Sequence, residues 1–383
     1  ESEMKSLQDE IRFLLSDRSM PYEKMALLVS VIVALVFTAI LSLNYAKDTP
    51  ITVIDLDNSR FSHEIIDYLD NSQMLSVQVV LNSLTDPTSL MYRDKSYAVI
   101  YIPMGTEKAH YNGETCDIGV FYDNTSSSSL SGAREALNEI VAEVNNPQLG
   151  TGDTIQGGMM LRERRLFNPA DSASNGEIVG FLIFFSSIFF AIATLGMIPR
   201  LRMEGKLELH LRAGSVFGLF QRTIPYCCCW LGATSIGFII LRFAGDISFT
   251  NNVLLYICVQ ALYIWICSLV SLLVGWSAPN PGMAASRMIL FIPPGFILGG
   301  YGVPMTMLPE WVQWINHIFP LTWDYKFIRD IVLRGASFQD CAITIGQFLI
   351  YGAIVVGLFV LRYYKMQGEY EKRKAYEHSI EVN

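Results

Sequence analysis

Long apolar runs are the dominant pattern along the chain, and they predict helices that cross a membrane. A helix needs about 20 mostly apolar residues to cross a bilayer, and six segments of the sequence meet that requirement. The fifth contains Pro293 and Pro294 and the run GFILGGYG, so we expect it to be broken or to re-enter the membrane. The predicted spans are residues 25–45, 177–198, 223–243, 252–276, 284–302 and 341–362.

Residues 46–176 show a different pattern, in which β-branched stretches alternate with amphipathic ones. ITVIDLD, LSVQVVL, YAVIYIP, CDIGVFYDN and LRERRLFNP are typical of strands. SRFSHEIIDYLDNS, DPTSLMYRDK and SSLSGAREALNEIVAEVNN are typical of helices, the first with Asn58 or Ser59 as its cap. This alternation predicts an α/β domain with a mostly parallel or mixed sheet, inserted between two spans.

Two further segments are amphipathic rather than uniformly apolar. Residues 1–24 place leucines and an isoleucine on one helical face, which fits a helix at the membrane interface or a surface helix packed on protein. Residues 303–340 contain Trp311, Trp314 and Trp323, and tryptophan favours the headgroup level. We expect a helix–turn–helix broken at Pro320, at the interface, packed against the inserted domain, or both.

Lysine and arginine are concentrated in three segments, and they predict the orientation of the spans. The basic segments are 1–24, the loop 199–222 and the tail 364–383. With six spans all three fall on the cytoplasmic side, so both termini lie inside, and the domain 46–176 lies outside. The expected fold class is an α-helical membrane protein with six spans plus an inserted α/β extracytoplasmic domain. Residues 177–363 form a five-span membrane domain, and the expected location is a bacterial inner membrane.

The charge composition supports this assignment and excludes one class of function. Charged residues make up 17% of the chain, against about 25% in globular domains, and the deficit lies outside the inserted domain. The net charge of -8 and the lack of a basic stripe argue against nucleic-acid binding. Asp55 and Asp57 are expected to cap and to face solvent rather than to bind a metal. A disulfide between Cys116 and Cys341 is left open.

The sequence has no P-loop and no Ser-His-Asp-like cluster, so the chain is not expected to be an enzyme. Energy for transport must then come from a separate ATPase or from an ion gradient. Ion-driven carriers place ionisable residues inside their spans. Here Glu177, Arg242 and Arg287 lie near span ends, which favours the ATP-driven alternative.

A resemblance to a known family rests on an ordered set of motifs. The loop RLRMEGKLELHLRAG, residues 200–214, contains an E-G-x-x-E-L match at Glu204, Gly205, Glu208 and Leu209, APNPGMAAS follows at 278–286, and FPLTWDYKFIRDIVLRG precedes the last span. With a large domain between its first two predicted spans, the chain resembles the permease subunit of ATP-binding-cassette exporters of the type 2 class, in the subgroup with a large periplasmic domain. Leu201 and Met203 depart from the family, which often has charges there.

The resemblance implies partners as well as a fold. It implies ATPase subunits that bind ATP and Mg, a second permease chain that is identical or similar, and contact with membrane lipid. A periplasmic adaptor is left open. The implied function is the permease subunit of an ATP-driven exporter of a hydrophobic or amphipathic substrate. The alternatives are a non-transporting assembly or receptor protein whose outer domain binds a partner, and an ion-coupled carrier.

Two groups of residues are candidates for the transport mechanism. Residues 200–214 are expected to form a helix that docks into the ATPase, with carboxylates for a basic groove and two leucines for apolar contact, although a solvated loop would show the same charges. The broken fifth span is expected to line the pathway, although a kinked, lipid-facing helix is the alternative. The coupling candidates are Glu204, Gly205, Leu207, Glu208, Leu211 and Arg212, and the pathway candidates are Pro293, Pro294, Gly299 and Gly300.

Overall fold

The computed structural model describes residues 48–125, 130–145, 158–167, 178–213, 216–244, 252–301 and 305–381. The predicted interfacial helix 1–24 and the predicted first span 25–45 lie outside these residues. The described part of the chain consists of a mixed α/β domain, called the sheet domain here, and a set of long apolar helices.

The sheet domain is built on five strands in the order β2-β1-β3-β4-β5. Pairing is parallel between β1 and its two neighbours and between β4 and β5, and antiparallel between β3 and β4. The mixed sheet and its alternation with helices are as predicted. The strands are β1 Thr49–Asp55, β2 Leu75–Leu81, β3 Ala98–Ile102, β4 Cys116–Asp123 and β5 Met159–Leu166.

Four helices connect these strands. Ser59 caps α1, and its side chain accepts a hydrogen bond from the N–H of Ser62, as expected for a capping box. The sequence pattern missed α3, a short helix that begins after Gly105, whose φ is +91. The helices are α1 Arg60–Asp70, α2 Pro87–Met91, α3 Thr106–Tyr111 and α4 Ser131–Val144.

The carboxylates of Asp55 and Asp57 organise turns in this domain. Asp55 Oδ1 accepts hydrogen bonds from the N–H groups of Asp57 and Asn58, at 3.0 and 2.9 Å. Asp57 accepts from the N–H of Gly105 at 2.6 Å, where α3 begins. The two carboxylates therefore satisfy backbone donors, as predicted, but Asp55 is fully buried, so the expectation that it faces solvent was wrong. Cys116 and Cys341 are both free and buried, so the disulfide left open by the sequence is not formed.

Five segments of the described chain are long and apolar enough to cross a membrane, namely Val179–Met203, Phe217–Phe243, Val253–Gly275, Pro281–Leu298 and Phe338–Tyr376. They correspond to the second to sixth predicted spans. The helices in this part are α5 Val179–Leu195, α6 Met197–Met203, α7 Lys206–Ala213, α8 Phe217–Ala244, α9 Val253–Gly275, α10 Pro281–Ser286, α11 Ile292–Leu298, α12 Glu310–Asn316, α13 Pro320–Phe327 and α14 Phe338–Glu381.

Several predicted boundaries differ from the observed ones. The loop predicted at 199–222 is mostly helical, because α6, α7 and the first turns of α8 occupy it. The predicted tail 364–383 continues α14 as far as Glu381. Both differences have the same cause. Hydropathy marks where a helix leaves the membrane, whereas the helix itself continues until a residue ends it.

The fifth predicted span is broken, as expected, but not at its double proline. A 3₁₀ turn, Arg287–Leu290, and the irregular Phe291 separate α10 from α11. Pro293 and Pro294 lie in the first turn of α11, where the lack of a backbone N–H costs nothing. The prolines therefore start the second half of the span.

The segment before the last span forms a compact helical unit, called the hairpin here, consisting of α12, α13 and the π-helix Ile328–Leu333. Pro320 begins α13, so the predicted break is present. The N–H of Arg334 donates to the carbonyl of Arg329 at 2.9 Å, which is the i to i+5 pattern of a π-helix. Such turns are rare and occur mostly at functional sites.

Candidate functional site

The predicted coupling segment, residues 200–214, contains a bend rather than one continuous helix. α6 ends at Met203, and Gly205 has φ +70, a conformation that L side chains rarely adopt. The N–H of Gly205 donates to the carbonyl of Arg202 at 3.2 Å, and α7 begins at Lys206. The bend expected at Gly205 is present, and the single helix expected over 200–214 was wrong because this glycine divides it.

The two leucines expected to contact a partner are not available for it. Leu207 and Leu211 are 1% and 4% exposed and belong to the apolar core of the membrane helices. This part of the prediction was wrong, because the apolar stripe of α7 packs against the chain's own helices. Leu209 and Met203 are 63% and 68% exposed and supply the apolar surface of the bend instead.

The carboxylates of the coupling segment do lie at its surface. Glu204 and Glu208 are both exposed. Glu204 forms an ion pair with Lys206 at 2.7 Å, and the hydrogen bond from Lys206 lowers the pKa of Glu204. An exposed pair of this kind contributes little to stability. The accessible surface of the bend therefore combines two carboxylates and two apolar side chains with the exposed basic residues Arg200, Arg202, Lys206 and Arg212. The carboxylate of Glu208 could pair with a basic residue of a partner.

α7 is held between two of the long helices by hydrogen bonds. Arg212 Nε donates to the hydroxyl of Tyr370 on α14 at 2.7 Å, and the hydroxyl of Tyr363 donates to the carbonyl of His210 at 2.7 Å. From α8, Arg222 Nε donates to His210 Nε2 at 2.8 Å. Arg212 was expected to face the ATPase, but it contacts α14. A displacement of α7 would therefore be passed to α8 and α14.

α6 makes a comparable connection to a third helix. Arg202 donates to the carbonyl oxygens of Trp276 and Ala278, at 2.6 and 3.0 Å, in the turn between α9 and α10. Gly275, at the end of α9, lies so close to α5 that an added Cβ would be 2.2 Å from the carbonyl oxygen of Leu195. The coupling segment is thus rigidly connected to the helices around it.

The predicted pathway residues lie in a tightly packed region. Pro293 and Pro294 are half-buried, and Gly299 and Gly300 are buried. A Cβ added at Gly299 would be 3.0 Å from the ring of Tyr325, and one at Gly300 would be 3.2 Å from the Met305 backbone. The glycines serve close packing in this structure, and their role in a pathway stays a prediction.

An aromatic surface runs along α5. Phe181, Phe185 and Phe189 are exposed and recur every four residues, so they form one stripe along the helix. Beside the stripe, the ring of Phe184 stacks on Phe296 of α11, with 4.3 Å between centroids. Apolar side chains on this stripe suit lipid, another helix or an apolar substrate.

Five charged side chains meet in a buried network between the sheet domain and the hairpin, and sequence reasoning missed it. Asp94 and Asp123 belong to the sheet domain, and Arg329, Asp330 and Arg334 to the hairpin. Arg329 donates to Asp94 at 2.9 Å, and Arg334 donates to Asp94 at 2.7 Å. Arg334 also donates through Nε to Asp123 at 3.0 Å and through Nη1 to Asp330 at 2.7 Å. The only local signal was the i, i+4 spacing of Asp330 and Arg334.

Two carboxylates of this network, Asp94 and Asp330, have pKa values that are shifted in opposite directions. Burial raises the pKa of Asp94, but the charges of Arg329 and Arg334 outweigh it, so the pKa lies well below its usual range. Burial also raises the pKa of Asp330, and the single guanidinium of Arg334 does not compensate. The network therefore lowers the pKa of Asp94 and leaves that of Asp330 raised.

Outside the network, the buried carboxyl of Asp324, in α13, contacts a membrane helix. Gln260 Nε2 of α9 donates to Asp324 Oδ1 at 2.5 Å. Asp324 Oδ2 and Gln260 Oε1 are buried and have no hydrogen-bond partner among the described residues. The sequence pattern placed Asp324 in an interfacial segment, and it indicated that the spans are nearly free of ionisable groups. A buried carboxyl beside a span is the feature that the ion-coupled alternative requires.

Two comparisons with known proteins cover most of the chain. A family described as "ABC-2 family transporter protein" matches residues 25–361. The "Probable multidrug ABC transporter permease YbhR" of Escherichia coli, from strain K12 and from O157:H7, is 20% identical over 333 residues, which cover 86% of this chain and 89% of the relative. A domain of a putative ABC type-2 transporter from Thermotoga maritima MSB8 matches at 13% identity with a TM-score of 0.23, covering 30% of this chain and 86% of that one.

The family match includes the sheet domain, the coupling segment and the five described membrane-crossing segments. The chain therefore belongs to the ABC-2 family of transporter proteins, as a transmembrane permease subunit.

Proposed function

We propose that this permease works in an ATP-driven exporter and moves a hydrophobic or amphipathic substrate out of the cytoplasm or the inner membrane of a bacterium. In this proposal ATP and Mg are bound by separate ATPase subunits. The coupling segment faces the cytoplasm, the sheet domain lies on the opposite side of the membrane, and both termini are cytoplasmic. An adaptor that contacts the sheet domain stays a prediction.

The observation that carries the proposal is the construction of the coupling segment. It exposes the carboxylates of Glu204 and Glu208 and the apolar side chains of Met203 and Leu209. The segment is also bonded to the turn after α9, to α8 and to α14 through Arg202, His210 and Arg212. A solvated loop would need no such connections. A lever between an ATPase and the membrane helices needs both an accessible docking surface and a rigid attachment.

The exposed stripe on α5 supports the apolar character of the substrate and a second permease chain. The exposed apolar surface formed by Phe181, Phe185 and Phe189 is one that lipid, substrate or another helix would cover. In the proposal two permeases pair, as is usual in the family, and enclose a path for an apolar cargo. The name of the relative from Escherichia coli, a multidrug permease, agrees with such a cargo.

The test of the docking surface is a charge reversal at Glu208, an exposed residue of α7. The complex with its ATPase is purified from membranes that express Glu208→Lys, and the retained ATPase and its ATP turnover are measured. We expect the variant to insert normally and to lose most of its ATPase, because removing one partner of an interfacial charge pair costs about 2–5 kcal/mol.

The matched control is Glu139→Lys, which makes the same charge change at an exposed position of α4 in the sheet domain. It should retain ATPase as the wild type does. If Glu208→Lys also retains the ATPase with normal turnover, Glu208 is a solvated side chain and the docking proposal is refuted.

A second candidate function, an ion-coupled carrier, is favoured by one observation, the buried carboxyl of Asp324 bonded to Gln260. Asp324→Asn keeps the size and the hydrogen bonds of the side chain but cannot exchange a proton. In reconstituted vesicles, transport that depends on a pH gradient and disappears in Asp324→Asn would establish this candidate. Transport that depends on ATP and persists in the variant would exclude it.

A further inference from the structure

A cavity of about 250 Å³ lies beside the buried network, where the sheet domain, the hairpin and the first turns of α14 meet. Arg93 and Lys95 line it from the sheet domain, Lys326 and Asp330 from the hairpin, and Thr344 from α14. At about 30 Å³ for each water molecule, the cavity has room for roughly eight waters. That is enough for a small charged group together with the atoms that carry it.

The backbone at one wall of the cavity adopts an uncommon conformation. Arg93 and Asp94 are consecutive residues with φ of 61 and 56, in the left-handed region that non-glycine residues rarely occupy. Asp94 is held there by Arg329 and Arg334, and the N–H of Arg93 donates to Asp330 Oδ1 at 3.2 Å. The buried network therefore holds this turn in place and keeps Arg93 at the cavity wall.

Arg93 has an unmet hydrogen-bonding group at this wall. Its Nε is buried, and it donates to no acceptor among the described residues. A buried donor without a partner is costly, and more so when it is charged. Such an exception in a folded protein points to a ligand, an ion or a water at that position.

Lys326 is a second cation without an acidic partner among the described residues. Its Nζ lies 2.9 Å from Nε2 of His317 and 5.1 Å from the ring centroid of Trp323. Burial and the charge of Lys326 lower the pKa of His317, so the imidazole is neutral and accepts the hydrogen bond. Burial also lowers the pKa of Lys326. An anion in the cavity would stabilise the charged form of this lysine.

The charges around the cavity do not balance. The three carboxylates of the network face its two arginines, and three more cations lie at the cavity wall. Five cations against three carboxylates leave a net charge of +2 when all are ionised. The cations are Arg93, Lys95, Lys326, Arg329 and Arg334, and the carboxylates are Asp94, Asp123 and Asp330.

The cavity lies at the boundary of the apolar part of the protein. Thr344 is in the second turn of α14, inside the membrane-crossing segment Phe338–Tyr376, whereas Arg93 and Lys95 belong to the sheet domain. On α12 of the hairpin, Trp311 and Trp314 are exposed, as is typical of side chains at the headgroup level of a membrane. This is the depth at which the phosphates of a bilayer are found.

We propose that the cavity binds a phosphate group, with Arg93 and Lys326 as its main charge partners and Lys95 at its rim. Guanidinium and ammonium groups are the side chains that bind phosphate oxygens most strongly. The phosphate belongs to the headgroup of an anionic phospholipid or is free in solution. The bound group adds a further contact between the sheet domain and the hairpin, beside the network. The site does not depend on the energy source or the direction of transport.

The test uses the full-length protein in a neutral detergent, with adducts counted and affinities measured by native mass spectrometry. The probes are phosphatidylglycerol, phosphatidylcholine and inorganic phosphate. We expect phosphatidylglycerol to bind more tightly than phosphatidylcholine. In Arg93→Gln and Lys326→Gln its affinity should fall about tenfold or more, the loss expected for one charged hydrogen bond.

Two further variants keep the result decisive. Lys95→Gln changes an exposed lining residue outside the network, so it reports on binding even if Arg93→Gln fails to fold. Arg60→Gln removes an exposed arginine of α1, paired with Glu64, and should leave binding unchanged. If inorganic phosphate alone depends on Arg93, Lys326 and Lys95, the site holds and its ligand is free phosphate. If neither probe binds more weakly to these variants than to Arg60→Gln, the proposal is overturned.

Discussion

Arg334 Nε donates to Asp123 Oδ2 at 3.0 Å, although 211 positions separate the two residues along the chain. Both side chains are fully buried. Asp123 ends β4 of the sheet domain, and Arg334 follows the π-helix of the hairpin. This pair and its neighbours connect the sheet domain to the hairpin before the last membrane helix. The sheet domain therefore cannot move relative to the hairpin without straining or breaking the hydrogen bonds of the network.

Removal of Arg334 should destabilise the protein strongly. Arg334→Met leaves the carboxylates of Asp94, Asp123 and Asp330 without their common partner, and an uncompensated buried charge costs about 3–5 kcal/mol. We expect a Tm lower by at least several degrees in thermal unfolding of the purified protein. The control Arg162→Met removes an exposed arginine paired with Asp117 and should change Tm very little. Equal Tm values for the two variants would show that the network adds no stability.

The network should also make stability depend on pH through Asp94. Arg329 and Arg334 overcome the effect of burial and lower the pKa of Asp94 below its ordinary value of 3.8. Between these two pKa values the unfolded state binds more protons, so stability present above about pH 4 is lost as the pH falls through the folded pKa. Asp94→Asn lacks this contribution. Its Tm should therefore fall less than that of the wild type on acidification below about pH 4.

Asp330→Asn should change the pH dependence of stability in the opposite direction. Burial raises the pKa of Asp330 above 3.8, so the folded state binds more protons than the unfolded state between the two values. This residue adds stability as the pH falls towards 3.8 and loses it as the pH rises. Without it, the loss of Tm on acidification should be steeper than in the wild type. Shifts of the same sign in Asp94→Asn and Asp330→Asn would contradict the assignment.

The connection between α7 and α14 should matter for energy coupling rather than for assembly. Tyr370→Phe removes the hydroxyl that accepts a hydrogen bond from Arg212. Arg212 is charged, but the pair is exposed to solvent, so it contributes only about 1 kcal/mol or less to stability, and folding and ATPase binding should persist. We expect substrate-stimulated ATP turnover of the reconstituted complex to fall several-fold. Tyr364→Phe, an exposed tyrosine on the same helix, should behave as the wild type, and equal stimulation in both variants would argue against the lever.

Close packing between α5 and α9 should make Gly275 intolerant of a side chain. A Cβ at this position would lie 2.2 Å from the carbonyl oxygen of Leu195, so Gly275→Ala must push the two helices apart. Overpacking of this kind costs about 1–3 kcal/mol. Gly357→Ala, on α14, meets nothing within 4 Å and should be neutral or slightly stabilising. Thermal unfolding of the two variants in detergent checks the difference.

The proposed orientation predicts which positions are accessible from outside the cell. In a protein without native cysteines, Glu139→Cys in the sheet domain should react with an impermeant thiol reagent added to intact cells, provided that the outer membrane is permeabilised. Lys206→Cys in the coupling segment should react only after the cells are broken. Both positions are exposed, so burial does not limit the reaction. Labelling of position 206 in intact cells would show that the orientation is the reverse of the one proposed.

Local sequence patterns were sufficient for the five spans that lie in the described residues and for most of the strands. The strand expected from LSVQVVL is β2, Leu75–Leu81, and the strand expected from CDIGVFYDN is β4, Cys116–Asp123. A helix in a membrane must satisfy its backbone hydrogen bonds internally, so its length and apolar composition appear in one continuous run. Pro320 and Gly205 are visible for the same reason, because their effect on the backbone is local.

Contacts between distant segments depend on the tertiary structure instead. Leu207 and Leu211 have the spacing of an apolar stripe, but only the position of the neighbouring helices decided that the stripe is buried within the chain. Asp123 and Arg334 are ordinary charged residues in the sequence, and packing alone made them a buried pair. The sequence records which groups are present, whereas the free energy of a charge or an apolar side chain depends on what surrounds it after folding.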